Sequence, residues 1–220
     1  MTLAHDPERE RAELHAYLGD AYDERRLQTY QQQVEDEFAR VGDEQRFYRT
    51  SEAYLYDLTA FAMTGTKDPY LQVLAEHLPP PAKLLDYGCG IGSDGLLLLE
   101  AGYEVTFADF ANPSTRYLRW RLAQRNRAAP IIDLDAETPP AGFDLAFAFD
   151  VIEHVDDPFA FLATLERSAA RVLVNVLEPE PNETALHHPL PVAELIAHAE
   201  QRNLCAHAVF HQRSHLLLYS

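Results

Sequence analysis

The sequence predicts an α/β domain built on an open, doubly wound, mostly parallel sheet with helices on both faces. Three observations carry this. From Lys83 onward, short apolar runs alternate with helical segments. The first of these runs enters a glycine-rich turn that opens directly into a helix. The last two runs follow one another with no helix between them, which predicts an antiparallel hairpin at one sheet edge and so a mixed edge.

The elements follow in order. Residues 1 to 60 hold 14 acids, seven arginines and six of the eleven tyrosines. AELHAYLGDAY, LQTYQQQVEDEFARV and SEAYLYDLTAFAM have helical spacing, Gly65 marks a break, and a short helix from Pro69 ends at prolines 79 to 81. LLDY then predicts a strand, SDGLLLLEAGY a helix stopping at Gly102, and EVTFAD a second strand. Asn112 and Pro113 form an N-cap and first turn for PSTRYLRWRLAQRN. PIID and FDLAFAF are strands, and Asp157 with Pro158 repeats the cap before FAFLATLERSAA. RVLVNVL is a strand and PVAELIAHAEQRN a helix. CAHAVFHQ and HLLLYS form the hairpin. The expected division is a helical N-terminal extension, residues 1–68, forming a cap, and a second domain, residues 69–220.

With 35 acidic against 18 basic residues, the formal net charge is -17, while 47% of residues are apolar. The apolar share is ample for a core. The charge, with only Lys67 and Lys83 as lysines, disfavours nucleic acid and anionic membranes as partners. Two separate cysteines, Cys89 and Cys205, no basic-apolar leader and no apolar run of membrane length predict a soluble, cytoplasmic protein of unspecified oligomeric state.

In open α/β sheets the ligand lies at the carboxyl ends of the strands. LLDYGCGIGSDG stands there, with Gly88, Gly90 and Gly92 letting backbone approach a ligand closely. A dinucleotide GxGxxG pattern fails from Gly88, since Ser93 takes the third position, but fits Gly90, Gly92 and Gly95, so a nicotinamide cofactor stays open as an alternative. No GK[ST] follows, which excludes a Walker A loop.

Asp86 followed by Gly88, Gly90 and Gly92 resembles the first motif of the class I S-adenosylmethionine-dependent methyltransferases. The resemblance extends over roughly residues 70 to 220 through Asp109, the DAE element Asp135 to Glu137, FDLAFAFDVIEHVDDP and the closing HLLLY. It implies a Rossmann-like fold and a methyltransferase of small-molecule type, using S-adenosylmethionine and releasing S-adenosylhomocysteine. By that resemblance the Gly88–Gly92 turn, with Cys89 as a small filler, lines the methionine part of the cofactor. Asp86 meets its amino group or braces the loop, and Asp109 takes the ribose hydroxyls. Asp135, with Asp133 as a rival, and Ala136 approach adenine. Phe110 and Ile91 pack near it, and Phe149, Asp150 and Ile152 flank the donor methyl. The acceptor is expected to be a small molecule, methylated on O or N. A protein or tRNA methyltransferase, or a non-catalytic S-adenosylmethionine-binding protein, are the rivals.

Candidates for a general base are His154 and Glu153 after the fourth strand, and His187 or His188 in the Glu178–Pro191 segment. Adjacent histidines point differently, so one of that pair is expected to reach the pocket. No HExxH, cysteine pair or carboxylate at metal spacing is present, so no metal site is expected. The arginines from Arg116 to Arg127 read as the solvated side of a sheet-covering helix. The front helices offer tyrosines as pocket walls, with Tyr48 and Tyr54 favoured.

Overall fold

A computed structural model describes residues 3–180, 184 and 186–220. Six helices come first: α1 (Pro7–Leu18), α2 (Glu24–Gln28), α3 (Tyr30–Val41), α4 (Glu44–Thr50), α5 (Ala53–Met63) and α6 (Asp68–His77). The expected single helix through LQTYQQQ breaks at Thr29. There the Gln33 side-chain amide donates to the Arg26 carbonyl and the Thr29 hydroxyl, and that hydroxyl donates to the Arg25 carbonyl. Side-chain bonds of this kind compete with the helical ladder.

The alternating section holds β1 (Lys83–Tyr87), α7 (Ser93–Glu100), β2 (Glu104–Asp109), α8 (Pro113–Gln124), β3 (Ile131–Asp133), β4 (Leu145–Ala148), α9 (Pro158–Ser168), β5 (Val172–Leu177) and α10 (Val192–Gln201). The hairpin strands are β6 (Leu204–Phe210) and β7 (Ser214–Tyr219). Both proline-marked caps form: Asn112 makes a capping box with Thr115, and the Asp157 carboxylate accepts from the amides of Phe159 and Ala160. One seven-stranded sheet results, in the order β3-β2-β1-β4-β5-β7-β6. β1 to β5 pair in parallel, and β7 slots antiparallel between β5 and β6.

Successive residues of each strand face opposite layers. Leu84 and Phe107 join a core with α6 and α7, whereas Leu85 and Ala108 join one with α9 and α10. Leu14, Leu55 and Tyr56 of the front helices close a third cluster against Tyr117 of α8. Strand order reverses between β1 and β4, and the front helices lie over the carboxyl edge near that switch. Among the described residues, no helix is long and apolar enough to cross a membrane.

Candidate active site

β1 delivers Asp86 to the sheet edge, and the turn after it curls back on β2. The amides of Gly88 and Cys89 both donate to the Ala108 carbonyl, at 2.8 and 3.2 Å. Gly92 closes the turn in the left-handed region, at φ 73°, where a side chain would also strike Leu118. Gly95 lies in α7 itself. A Cβ there would sit 2.3 Å from the Phe107 ring and 2.5 Å from the Asp86 carboxylate, so its absence lets α7 pack down on the sheet. The third glycine of the alternative register thus has a packing role.

The turn forms part of a cavity of about 730 Å³. Asp109, at the end of β2, accepts from the Gly90 amide at 2.7 Å and the Phe110 amide at 2.6 Å. The carboxylate therefore braces the loop, yet its oxygens offer further lone pairs to the cavity. Burial raises its pKa to about 6, against the pull of those amides. Burial, followed by the nearby Asp94, pushes Asp86 well above the usual carboxylate range.

Asp150 adopts φ 55°, an uncommon conformation without glycine. It is held there by the buried Asn175, whose side chain accepts from the Asp150 amide at 2.8 Å and donates to its carboxylate at 2.7 Å. Lys67, at the start of α6, reaches into the same space. Its ammonium lies 3.3 Å from Asp94, 3.6 Å from Asp150 and 3.4 Å from the Phe149 carbonyl. Burial opposes its charge, but the two carboxylates outweigh burial and raise its pKa. Asp94 is lowered to about 2: burial acts against ionisation and is outweighed by Lys67 and His5.

The other side of the cavity comes from distant segments. Tyr48 and Tyr54 line it, as do Tyr30 and Asp57, all from the front helices. A 3₁₀ turn, Ile152–His154, presents Glu153 and His154. Glu153 is buried, at 1% exposure. The Nδ1 of His154 lies 2.9 Å from the Leu186 carbonyl and 2.9 Å from the Tyr48 hydroxyl. A carbonyl only accepts, so Nδ1 carries the proton and Nε2 holds the lone pair. Burial, reinforced by His187, lowers the His154 pKa to about 4. The His187 and His154 rings meet edge-on with centroids 4.8 Å apart, while His188 turns toward Glu44 at 3.3 Å. Residues 181–183 and 185 of the Glu178–Pro191 segment lie outside the described residues.

The structure therefore brings Asp86, Gly88, Cys89, Gly90, Asp109, Phe110, Phe149, Asp150, Glu153, His154 and His187 to one cavity. Four expected residues are placed elsewhere. Gly92 packs under Leu118, and Ile152 is enclosed in the core beside α9. Asp135 gives both carboxylate oxygens to Arg49, at 2.6 and 3.0 Å, and neither it nor Ala136 lines the cavity. Leu134 lines it instead, and Arg49 lies over the Phe110 ring, 4.2 Å from its centroid. The rival Asp133 accepts from the Asp135 amide and caps that turn. Lys67, Asp94 and His5 were not singled out from the sequence. One of only two lysines in an acidic chain, placed directly before a helix start, was the signal available for Lys67.

With its topological switch, acid-flanked glycine turn and strand-end Asp109, the fold defines an α/β ligand-binding protein of the open-sheet kind. The "Methyltransferase domain" family matches residues 59–216, most of the chain. The chain belongs to that family, and its fold is the class I methyltransferase fold. It is 29% identical over 117 residues to a ubiquinone biosynthesis O-methyltransferase of Idiomarina loihiensis, covering 44% of this chain and 48% of that protein. It is 25% identical over 140 residues to a ribosomal protein L11 methyltransferase of Ralstonia pickettii, covering 63% and 47%. The chain thus spans about half the length of these curated relatives. Among solved structures, magnesium protoporphyrin IX methyltransferase from Synechocystis PCC 6803 with bound SAH aligns with TM-score 0.62 at 16% identity, over 86% of this chain and 98% of that one.

Proposed function

We propose that this chain transfers the methyl group of S-adenosylmethionine to a small-molecule acceptor, on oxygen or nitrogen, releasing S-adenosylhomocysteine. The observation that carries this is a single cavity joining the Asp86–Asp109 glycine turn to the Glu153, His154 and His187 cluster. The donor set suits the cofactor. Asp94 and Asp150 complement an α-ammonium, Asp86 offers it a further oxygen acceptor, Lys67 complements an α-carboxylate, and Asp109 has acceptor capacity for two hydroxyls. When bound, the cofactor supplies an activated methyl on a sulfonium, so alignment of the acceptor carries much of the catalysis.

The acceptor's place is between the tyrosines of the front helices and His154. Residues 1–68 serve as the cap that encloses it, since Tyr30, Tyr48 and Tyr54 wall the cavity from that side. Nε2 of His154 faces the task of taking or steering the acceptor's proton, with Glu153 and His187 beside it. Oxygen is the favoured atom, because the Idiomarina relative is an O-methyltransferase. The -17 charge supports a small acceptor over nucleic acid, and two free cysteines suit a cytoplasmic setting. A protein acceptor is the second reading, favoured by the similarity to the L11 methyltransferase.

Incubation with methyl-labelled S-adenosylmethionine, a panel of phenols, catechols and carboxylic acids and, in parallel, purified ribosomal protein tests the reading. Label is expected in a small molecule, and His154→Ala is expected to lower kcat by about 100-fold or more while S-adenosylhomocysteine affinity changes little. Label found only in ribosomal protein would establish the second reading instead.

A further inference from the structure

Glu153, His154 and His187 each offer one donor atom, and these three atoms lie within 4.8 Å of one another. No sequence spacing announces them as a set: two come from the turn after β4, the third from the segment after β5. Two hydrogen bonds tie those segments together at this point. The His188 amide donates to the Glu153 carbonyl at 2.7 Å, and His154 Nδ1 donates to the Leu186 carbonyl at 2.9 Å. The second bond also fixes the tautomer that presents Nε2, the arrangement in which metal-bound histidines are held by a backbone carbonyl.

From this geometry we infer that Glu153, His154 and His187 bind one divalent cation of borderline softness, with Zn²⁺ the closest match. Two imidazoles and a carboxylate are a known catalytic donor set for zinc, which leaves a fourth position for water or substrate. Bonds of about 2.0–2.1 Å at tetrahedral angles separate donors by roughly 3.3 Å, so from within 4.8 Å the cluster closes by up to about 1.5 Å at its widest. All three residues line the cavity, so the remaining position opens into it. The role of the cation in catalysis rests on the methyltransferase reading. An acceptor hydroxyl bound there loses its proton to water more readily. Its oxygen then forms the new O–CH₃ bond as the C–S bond breaks, and the neutral sulfide leaves. With the cation in place, Nε2 of His154 serves as a ligand and water takes the acceptor's proton, which selects acceptors that carry an oxygen ligand.

The test uses the full chain after chelator treatment and dialysis, titrated with Zn²⁺ alone, with S-adenosylhomocysteine affinity measured in parallel. One equivalent is expected to bind. Affinity should fall at least 100-fold in both Glu153→Gln and His187→Ala, whereas His207→Ala, which alters a surface histidine pair, should leave it unchanged. Retained S-adenosylhomocysteine binding in the two weakened variants shows that they fold. Binding of no equivalent, or of one with equal affinity in His187→Ala, overturns the inference. In that event intact S-adenosylhomocysteine binding and chelator-insensitive methyl transfer would leave the enzyme reading standing, with His154 acting on the proton directly. Zinc binding without S-adenosylhomocysteine binding would instead uphold the site and remove the methyltransferase reading.

Discussion

Asp109 does two jobs with one carboxylate: it secures the Gly90 amide and keeps lone pairs directed at the cavity. In the proposed role of Asp109, ribose hydroxyls donate to its ionised form, and protonation replaces an acceptor with a donor. Because burial raises this group to about 6, S-adenosylhomocysteine affinity is expected to be flat above neutrality. It should fall as the pH drops through about 6, by up to tenfold per unit. Asp109→Asn should weaken binding by roughly 10- to 100-fold, the range for a hydrogen bond to a charged group, and flatten the profile. Calorimetry from pH 5 to 8 checks both, and an unchanged slope in Asp109→Asn would assign the titration to another group, Asp57 being also raised to about 6 by burial. Burial pushes the Cys89 thiol well above the usual range. A thiol reagent is expected to modify exposed Cys205 quickly and the half-buried, high-pKa Cys89 slowly, which peptide mapping would show.

Helix α8 shows which parts of an element are legible in a chain and which are not. Its start was readable because a cap is local: Asn112, Pro113 and Thr115 meet within one turn. Asn112→Ala is expected to cost about 1 kcal/mol of stability, read from the urea midpoint. The arginine pattern misled, because burial depends on what lands on the helix from far away. Arg116, Arg119 and Arg127 are exposed, but Arg121 is fully enclosed and Arg125 nearly so. Arg121 donates to Glu10, to Glu13 at 2.7 Å, to Ser93 at 2.8 Å and to the Ile91 carbonyl at 3.0 Å. It thereby clamps α1 onto the glycine turn across more than a hundred residues of chain. Removing one partner of a buried pair strands the other's charge, so Arg121→Ala should destabilise the fold by about 3–5 kcal/mol. A loss under about 1 kcal/mol in urea unfolding would show that Glu10 is better solvated than this packing implies.

At the scale of the molecule, the strand–helix alternation, the glycine turn and the edge hairpin were all written in local pattern. The sheet itself added the insertion of β7 between β5 and β6, which depends on pairing energies between segments remote in sequence. The cavity divides in the same way. Asp86, Asp109 and the turn are set by one β-α-β unit, so their placement followed from spacing. The approach of Arg49 to Asp135, of Tyr48 to His154 and of His187 to Glu153 depends on how the front helices and the post-β5 segment settle over the sheet edge. No period in the sequence encodes those contacts. What the whole fold asserts is a cavity made for S-adenosylmethionine rather than for a dinucleotide. Calorimetric titration of the purified protein with S-adenosylhomocysteine and, separately, with NAD tests that claim most directly. Saturable one-to-one binding of S-adenosylhomocysteine with no heat from NAD is expected; binding of NAD without S-adenosylhomocysteine would contradict it.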